Sequence, residues 1–135
     1  LAREAGALSD PLIRQEISKV IGLKKLNALN TARAKAEMKQ GTSSALMILG
    51  KLAMSRILHE EARVRTMILG AGSLLEGPDF PRAEDANFLT LNAYFTSIGG
   101  GTDQIQRNII GERVLGLPKE PEVDRDIPFR DVRSG

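Results

Sequence analysis

The sequence predicts an all-α protein, an up-and-down helix bundle. Apolar residues recur at helical spacing over several long stretches, and clusters of glycine, proline or serine bound each stretch. Alanines at positions 32, 34 and 36 alternate with charged residues, but this short run continues the first helical stretch, and no strand is predicted. Because short connections between long helices favour antiparallel neighbours, the pattern indicates a bundle.

The first helix is predicted to begin at Asp10-Pro11, a capping residue followed by proline at the first helical position. It continues for roughly thirty residues, up to Gly41. Gly22 lies inside it and indicates either a close helix crossing or a slight bend. One apolar stripe runs along this helix, formed by Ile13, Ile17, Val20, Ile21, Leu26 and Leu29.

The second helix is capped in the prediction by Thr42, Ser43 and Ser44 and ends at Gly70. Its apolar positions again have helical spacing: Leu46, Leu49, Leu52, Ala53, Ile57, Val64, Met67 and Ile68. A loop covers residues 73–83, since Gly77-Pro78 and Phe80-Pro81 lie there.

Three polar residues of the second helix could carry a function, but the sequence favours a structural interpretation. His59 has no second histidine or cysteine nearby, so we expect a hydrogen-bonded or solvated side chain and no metal site. Arg63 and Arg65 follow Glu60 and Glu61 at ion-pair spacing, so we assign them no function.

The third helix is predicted over residues 84–97 and carries an apolar and aromatic cluster: Phe88, Leu91, Tyr94, Phe95 and Ile98. Such a cluster could line a channel for an apolar ligand. At helical spacing it is more often part of a core, which is the interpretation we favour.

The fourth helix follows three consecutive glycines, Gly99 to Gly101, and Thr102 is its predicted N-cap. Gly116 lies just past its last turn, and Pro118 prevents it from continuing. Glycines before a helix start permit positive φ and expose free N–H groups. The segment is therefore either a loop that binds an anion or a cofactor, or a plain glycine turn.

Composition excludes other classes of function. Nineteen basic and seventeen acidic residues are interspersed and give a net charge of +2, so nucleic-acid binding is not favoured. The chain has no cysteine, and no apolar run approaches the roughly 18 residues of a membrane span. We expect a cytoplasmic protein with neither a signal peptide nor a membrane span.

Residues 100–118 read Gly-Gly-Thr-Asp-Gln-Ile-Gln-Arg-Asn-Ile-Ile-Gly-Glu-Arg-Val-Leu-Gly-Leu-Pro. This run resembles the C-terminal signature of the flavin-dependent acyl-CoA dehydrogenases. The resemblance implies a helical bundle that belongs to an oxidoreductase of lipid metabolism and fatty acid β-oxidation, with FAD as cofactor. It also implies that Gly101, Thr102, Asp103 and Gln104 contact FAD, chiefly through backbone N–H groups and the side chains of Thr102 and Gln104.

The reaction of the family requires a carboxylate base at the α-carbon of the thioester. In many members this base is a glutamate directly before Gly-Thr, where this chain has Gly100. Other members carry it on an earlier helix, which would lie upstream of Leu1. No residue of this chain is therefore predicted to be catalytic.

Two other family elements are altered. The Arg-x-x-Phe-Gly element would fall at residues 1–6, where only Arg3 and Gly6 occur, out of register. The Gln-x-x-Gly-Gly element would begin at Met67, which replaces its glutamine. In the family both elements serve the flavin of a neighbouring subunit, so this subunit could pair with a different chain.

We expect residues 1–118 to be the bundle domain of a longer chain, with its first helix upstream. Residues 119–135 are expected to be an extended tail, either docked or mobile, in which only Ile127, Phe129 and Val132 could act as anchors. The resemblance implies an acyl-CoA substrate, an electron-transfer acceptor and a homo- or heterotetramer. The fragment alone should be inactive. The alternative is a non-catalytic helical partner subunit or assembly module.

Overall fold

The structure is a computed structural model that describes residues 1–42, 44–119, 121 and 126–132, apart from the side chain of Phe129. Over these residues the chain is helical and contains no strand. The α-helices are α1 (Pro11–Lys39), α2 (Ala45–Leu69), α3 (Pro81–Ile98) and α4 (Asp103–Arg113). Short 3-10 helices occur at Ala7–Ser9, Gly70–Leu74 and Phe129–Asp131.

Helix α2 is the centre of the bundle and packs against α1, α3 and α4. Glu16 near the start of α1 pairs with Arg63 near the end of α2, which shows that these two helices are antiparallel. Lys24 Nζ lies 2.5 Å from Glu61 Oε2 and joins the same pair of helices. The all-α, up-and-down bundle predicted from the sequence is confirmed.

The predicted helix ends agree with the structure where a cap is strong. Asp10 Oδ1 accepts from the Leu12 N–H at 2.8 Å, with Pro11 at the first helical position. Ser44 stands at the N-cap of α2, but its side chain makes no capping bond, and Ser43 lies outside the described residues. Helix α3 begins at Pro81, earlier than predicted, because proline is well tolerated in a first turn.

The buried core is thin and is built largely from alanine. Its larger apolar members are Val20, Ile57 and Val64, and the others are Ala34, Ala62, Ala83, Ala86 and Ala93. In the apolar stripe of α1, Ile21, Leu26 and Leu29 are each 59% exposed. The described part of the chain therefore leaves half of the six stripe residues exposed.

The expectation that the aromatic cluster of α3 belongs to the core is wrong for the chain as described. The five side chains are between 59% and 71% exposed: Phe88, Leu91, Tyr94, Phe95 and Ile98. Helix α3 turns its alanines toward α2 and this apolar face outward. Among the helices that the structure describes, none is both long and apolar enough to span a membrane.

Candidate functional site

The glycine loop before α4 has a backbone that only glycine adopts readily. Gly100 and Gly101 have φ of +67° and +92°. A Cβ at Gly101 would lie 3.1 Å from Gln106 Nε2, so the Gln106 side chain would have to move by a few tenths of an ångström. Gln106 Nε2 donates to the Gly100 carbonyl at 3.3 Å and holds the loop against α4.

A run of free backbone donors leads into α4. Thr102 is the N-cap as predicted: its Oγ1 accepts from the Ile105 N–H at 3.2 Å, and its carbonyl accepts from the Gln106 N–H at 2.9 Å. Among the described residues, no acceptor receives a hydrogen bond from the backbone N–H groups of residues 100–104. Because the helix dipole places positive charge at the same end, this surface suits an anionic group.

The four predicted cofactor-binding residues, Gly101 to Gln104, are consecutive and lie together at this surface. The side chain of Gln104 is exposed, and the Thr102 hydroxyl keeps its proton for donation to a ligand. Asp103 differs because its side chain turns back toward α2. Ser55 Oγ donates to Asp103 Oδ2 at 2.7 Å, so only the backbone N–H of Asp103 remains available to a ligand.

Helix α2 contributes a row of polar residues behind the loop, which the sequence interpretation did not identify. Lys51, Ser55 and His59 are spaced four residues apart and therefore share one face of the helix. Lys51 Nζ donates to the Gly101 carbonyl at 2.6 Å and lies 3.5 Å from Asp103 Oδ1. The four-residue spacing of these polar residues, which begins in the mainly apolar first half of α2, was the signal that could have revealed the row.

His59 is held by α3, in agreement with the expectation of a hydrogen-bonded side chain. Its Nε2 lies 3.3 Å from Ser97 Oγ, and its ring meets that of Tyr94 edge-on at a centroid distance of 4.9 Å. In the part of the chain that the structure describes, no three histidine, aspartate or glutamate side chains could together hold a metal ion.

The two arginines at the end of α2 form ion pairs, as expected. Arg63 Nη2 lies 2.8 Å from Glu60 Oε2, and Arg65 Nη2 lies 3.4 Å from Glu61 Oε1. Arg63 also pairs with Glu16 of α1, a contact between helices that the sequence did not indicate.

A cavity of about 560 Å³ opens between α1, α2 and α4, beside the loop. Its walls are mainly apolar, and Asp103 and Arg107 are the lining residues that come from α4. Among the described residues neither Arg56 nor Arg107, which both line the cavity, has an ion-pair partner.

Comparison with known proteins identifies the family of this helical domain. Residues 2–115 match the family described as acyl-CoA dehydrogenase, C-terminal domain. The chain belongs to the acyl-CoA dehydrogenase family. Curated relatives include acyl-CoA dehydrogenase IpdE1 of Mycolicibacterium smegmatis, 34% identical over 122 residues, which are 89% of this chain and 29% of the relative.

Acyl-CoA dehydrogenase IpdE1 of Mycobacterium tuberculosis is 33% identical over 124 residues, which are 89% of this chain and 30% of the relative. The chain thus spans less than a third of the length of these two acyl-CoA dehydrogenases. No solved structure matches it significantly.

The matched range contains the glycine loop, α4, Met67 and residues 2–6 of the altered N-terminal element. Arg3 and Gly6 lie in the turns that precede α1, and Met67 lies in the last turn of α2. Met67 Sδ accepts from Arg63 Nη1 at 3.0 Å. A Cβ at Gly100, the residue that the sequence comparison with the family places at the usual base position, would meet no atom within 4 Å.

Proposed function

We propose that this chain is the C-terminal domain of an FAD-dependent acyl-CoA dehydrogenase, which oxidises an acyl-CoA thioester at the α,β position. Family membership supports the proposal, as do the relatives that carry the name acyl-CoA dehydrogenase. In the absence of the remaining two thirds of such a protein, the fragment should have no activity of its own.

The observation that carries the proposal is the run of free N–H groups at residues 100–104, at the N-terminus of α4. These donors fit an anionic part of FAD, and the two glycines with positive φ let a ligand approach the backbone closely. When bound, FAD accepts a hydride from the β-carbon of the substrate. The role of Gly101, Thr102, Asp103 and Gln104 is to bind and orient it.

The proton at the α-carbon must leave to a base that this loop does not supply. Gly100 has no side chain, and the Asp103 carboxylate is turned away, toward Ser55 and Lys51. We therefore place the base on a segment outside this chain, either upstream or on a partner subunit. In the dehydrogenation reaction, this domain would then supply residues that bind the flavin, and the segment outside this chain would supply the carboxylate base.

The proposal extends to assembly and location. We infer a homo- or heterotetramer that passes electrons from its flavin to an electron-transfer acceptor and is cytoplasmic. The large uncovered apolar face of α3 supports association, and the absence of cysteine is compatible with a reducing compartment.

The second candidate is a non-catalytic partner subunit of a heteromeric acyl-CoA dehydrogenase. Two observations favour it: Gly100 stands at the usual base position, and Met67 replaces the glutamine of a flavin-binding element. In that case the chain would complete a site whose base and further flavin contacts belong to a different subunit.

The flavin content of the whole protein tests the assignment. Replacing Thr102 and Gln104 together by alanine should lower the ratio of FAD to protein, because both polar side chains at the loop are lost. A double variant with full flavin content and unchanged turnover would show that the assignment is wrong. Activity that appears only after co-expression with a different subunit would favour the second candidate.

A further inference from the structure

Three groups meet behind the glycine loop and connect it to α2. Lys51 Nζ lies between the Gly101 carbonyl, at 2.6 Å, and Asp103 Oδ1, at 3.5 Å. Ser55, which is completely buried, donates to the other carboxylate oxygen of Asp103 at 2.7 Å. Asp103 Oδ1 is itself buried and receives no hydrogen bond, so the Lys51 ammonium is its nearby compensating charge.

The hydrogen bond from Lys51 sets the direction of a peptide unit. In a trans peptide the C=O and the N–H point in opposite directions. The Gly101 carbonyl points toward α2, so the N–H of Thr102 on the same peptide points away from α2. Lys51, which belongs to α2, therefore orients the Thr102 N–H, a hydrogen-bond donor of the loop.

The ion pair between Lys51 and Asp103 keeps the Asp103 carboxylate from competing with an anionic ligand. A carboxylate in the first turn of a helix stabilises the helix, but it competes there with any anionic ligand of the free N–H groups. Ser55 and Lys51 draw the Asp103 carboxylate to the inner side and pair its charge. Without Lys51, a buried carboxylate oxygen would lack a counter-charge, and the side chain would gain by turning toward the N–H groups.

We propose that Lys51 is a positioning residue for the flavin-binding loop: it orients the Thr102 N–H and keeps the Asp103 carboxylate away from the anionic part of the cofactor. This inference rests on the proposed function. Lys51 acts through Gly101 and Asp103 and makes no contact with the reacting atoms.

The test is the affinity of the whole apoprotein for FAD, measured by titration with the cofactor. Lys51→Met keeps the aliphatic stem but removes the charge, and it should weaken FAD binding about tenfold, the range expected for a lost charge-assisted hydrogen bond. Lys24→Met is the matched control, because Lys24 also bridges two helices, through Glu61, but lies away from the loop. It should bind FAD as the wild type does.

Two further variants separate positioning from a general loss of structure. Lys51→Arg, which retains the charge, should recover most of the affinity. Adding Asp103→Asn to Lys51→Met should also recover part of it, because the competing carboxylate is gone. If Lys51→Met binds FAD as well as Lys24→Met, or if neither Arg nor Asp103→Asn recovers any affinity, the proposal is wrong.

Ser55→Ala keeps the test decisive if Lys51→Met does not fold. It releases the same carboxylate and should weaken FAD binding several-fold, and unchanged affinity would overturn the proposal. The Thr102→Ala/Gln104→Ala variant shows whether only the positioning role of Lys51 is wrong or whether the assignment of the loop to FAD binding is wrong. If it loses flavin while the Lys51 and Ser55 variants do not, only the positioning role is wrong. If it keeps its flavin, the cofactor assignment itself fails.

Discussion

Two glycines of this domain should respond in opposite ways to the same substitution. Gly101 has φ of +92° and a crowded Cβ position, so Gly101→Ala should destabilise the protein by about 1–3 kcal/mol and weaken FAD binding. Gly22 lies within α1, where an added Cβ would meet no atom within 4 Å, so Gly22→Ala should stabilise by up to about 1 kcal/mol. Chemical denaturation measures both changes. Equal effects would show that the loop geometry is wrong.

A carboxylate placed at Gly100 tests where the catalytic base lies. The Cβ side of Gly100 is open, but its φ of +67° strains any other residue. If the base comes from outside this chain, Gly100→Glu should lower kcat, because two neighbouring carboxylates raise the pKa of one of them. The effect should appear as a shift of the pH–rate profile to higher pH.

Gly100→Ala is the matched control, since it introduces the backbone strain without the charge. It should lower stability with a smaller effect on the pH–rate profile. Activity of Gly100→Glu that equals or exceeds that of the wild type would argue that no outside carboxylate acts, and that the loop itself accommodates the base.

At the scale of residues, the sequence predicted the local interactions and missed the distant ones. Asp10 and Thr102 were identified as helix caps because the bonds of a cap connect residues two or three positions apart. Lys51 and Ser55 were not identified, because their partners in the loop lie about fifty residues further along the chain. Only the packing of α4 against α2 brings these groups together.

Between the elements α1 and α2, ion pairs make the contact sensitive to acid. Hydrogen bonds from Lys19 and Arg63 hold the pKa of Glu16 below its ordinary value of 4.5. Burial raises the pKa of Glu61, but hydrogen bonds from Lys24 and Arg65 outweigh it, so that pKa is also lowered. Such carboxylates stabilise the folded state above their unfolded pKa, and this stabilisation is lost as the pH falls through the folded pKa.

We therefore expect α1 to open more readily as the pH is lowered from about 6 to about 3. Amide hydrogen exchange of α1, corrected for the intrinsic pH dependence of exchange, measures this opening. Glu61→Gln should reduce the pH dependence because it removes one of the titrating groups. Glu76→Gln, in an exposed loop without an ion pair among the described residues, is the control. An unchanged pH dependence in Glu61→Gln would contradict the expectation.

The elements were predictable to within a few residues, whereas their exposed faces were not. Periodicity and caps place α1, α2 and α4 well, because these signals are local. The apolar side of α3 was assigned to a core, yet its side chains face outward. Periodicity identifies an apolar face but not what covers it, and in α3 only the alanine side packs within the described chain.

The surface of the whole molecule is larger than that of a compact monomer. Its solvent-accessible area is 10099 Å², against about 6,900 Å² for a folded monomer of 14.7 kDa. The exposed side chains on α1 and α3 include large apolar residues such as Leu26, Phe88 and Phe95. A stable interface needs about 800 Å² from each partner, so this surface is large enough for more than one contact.

The isolated domain should therefore associate in solution. The outward face of α3, formed by Phe88, Leu91, Phe95 and Ile98, is the surface we expect to be covered. Light scattering should give a mass above the 14.7 kDa of one chain at micromolar concentration.

Phe95→Asp should shift the population toward the monomer, because a charge cannot be buried there without a partner. Asn108→Asp adds the same charge on an exposed position of α4 and should leave the mass unchanged. A single monomeric species across the micromolar range in the wild-type domain would contradict this expectation, and an equal response of both variants would place the contact elsewhere.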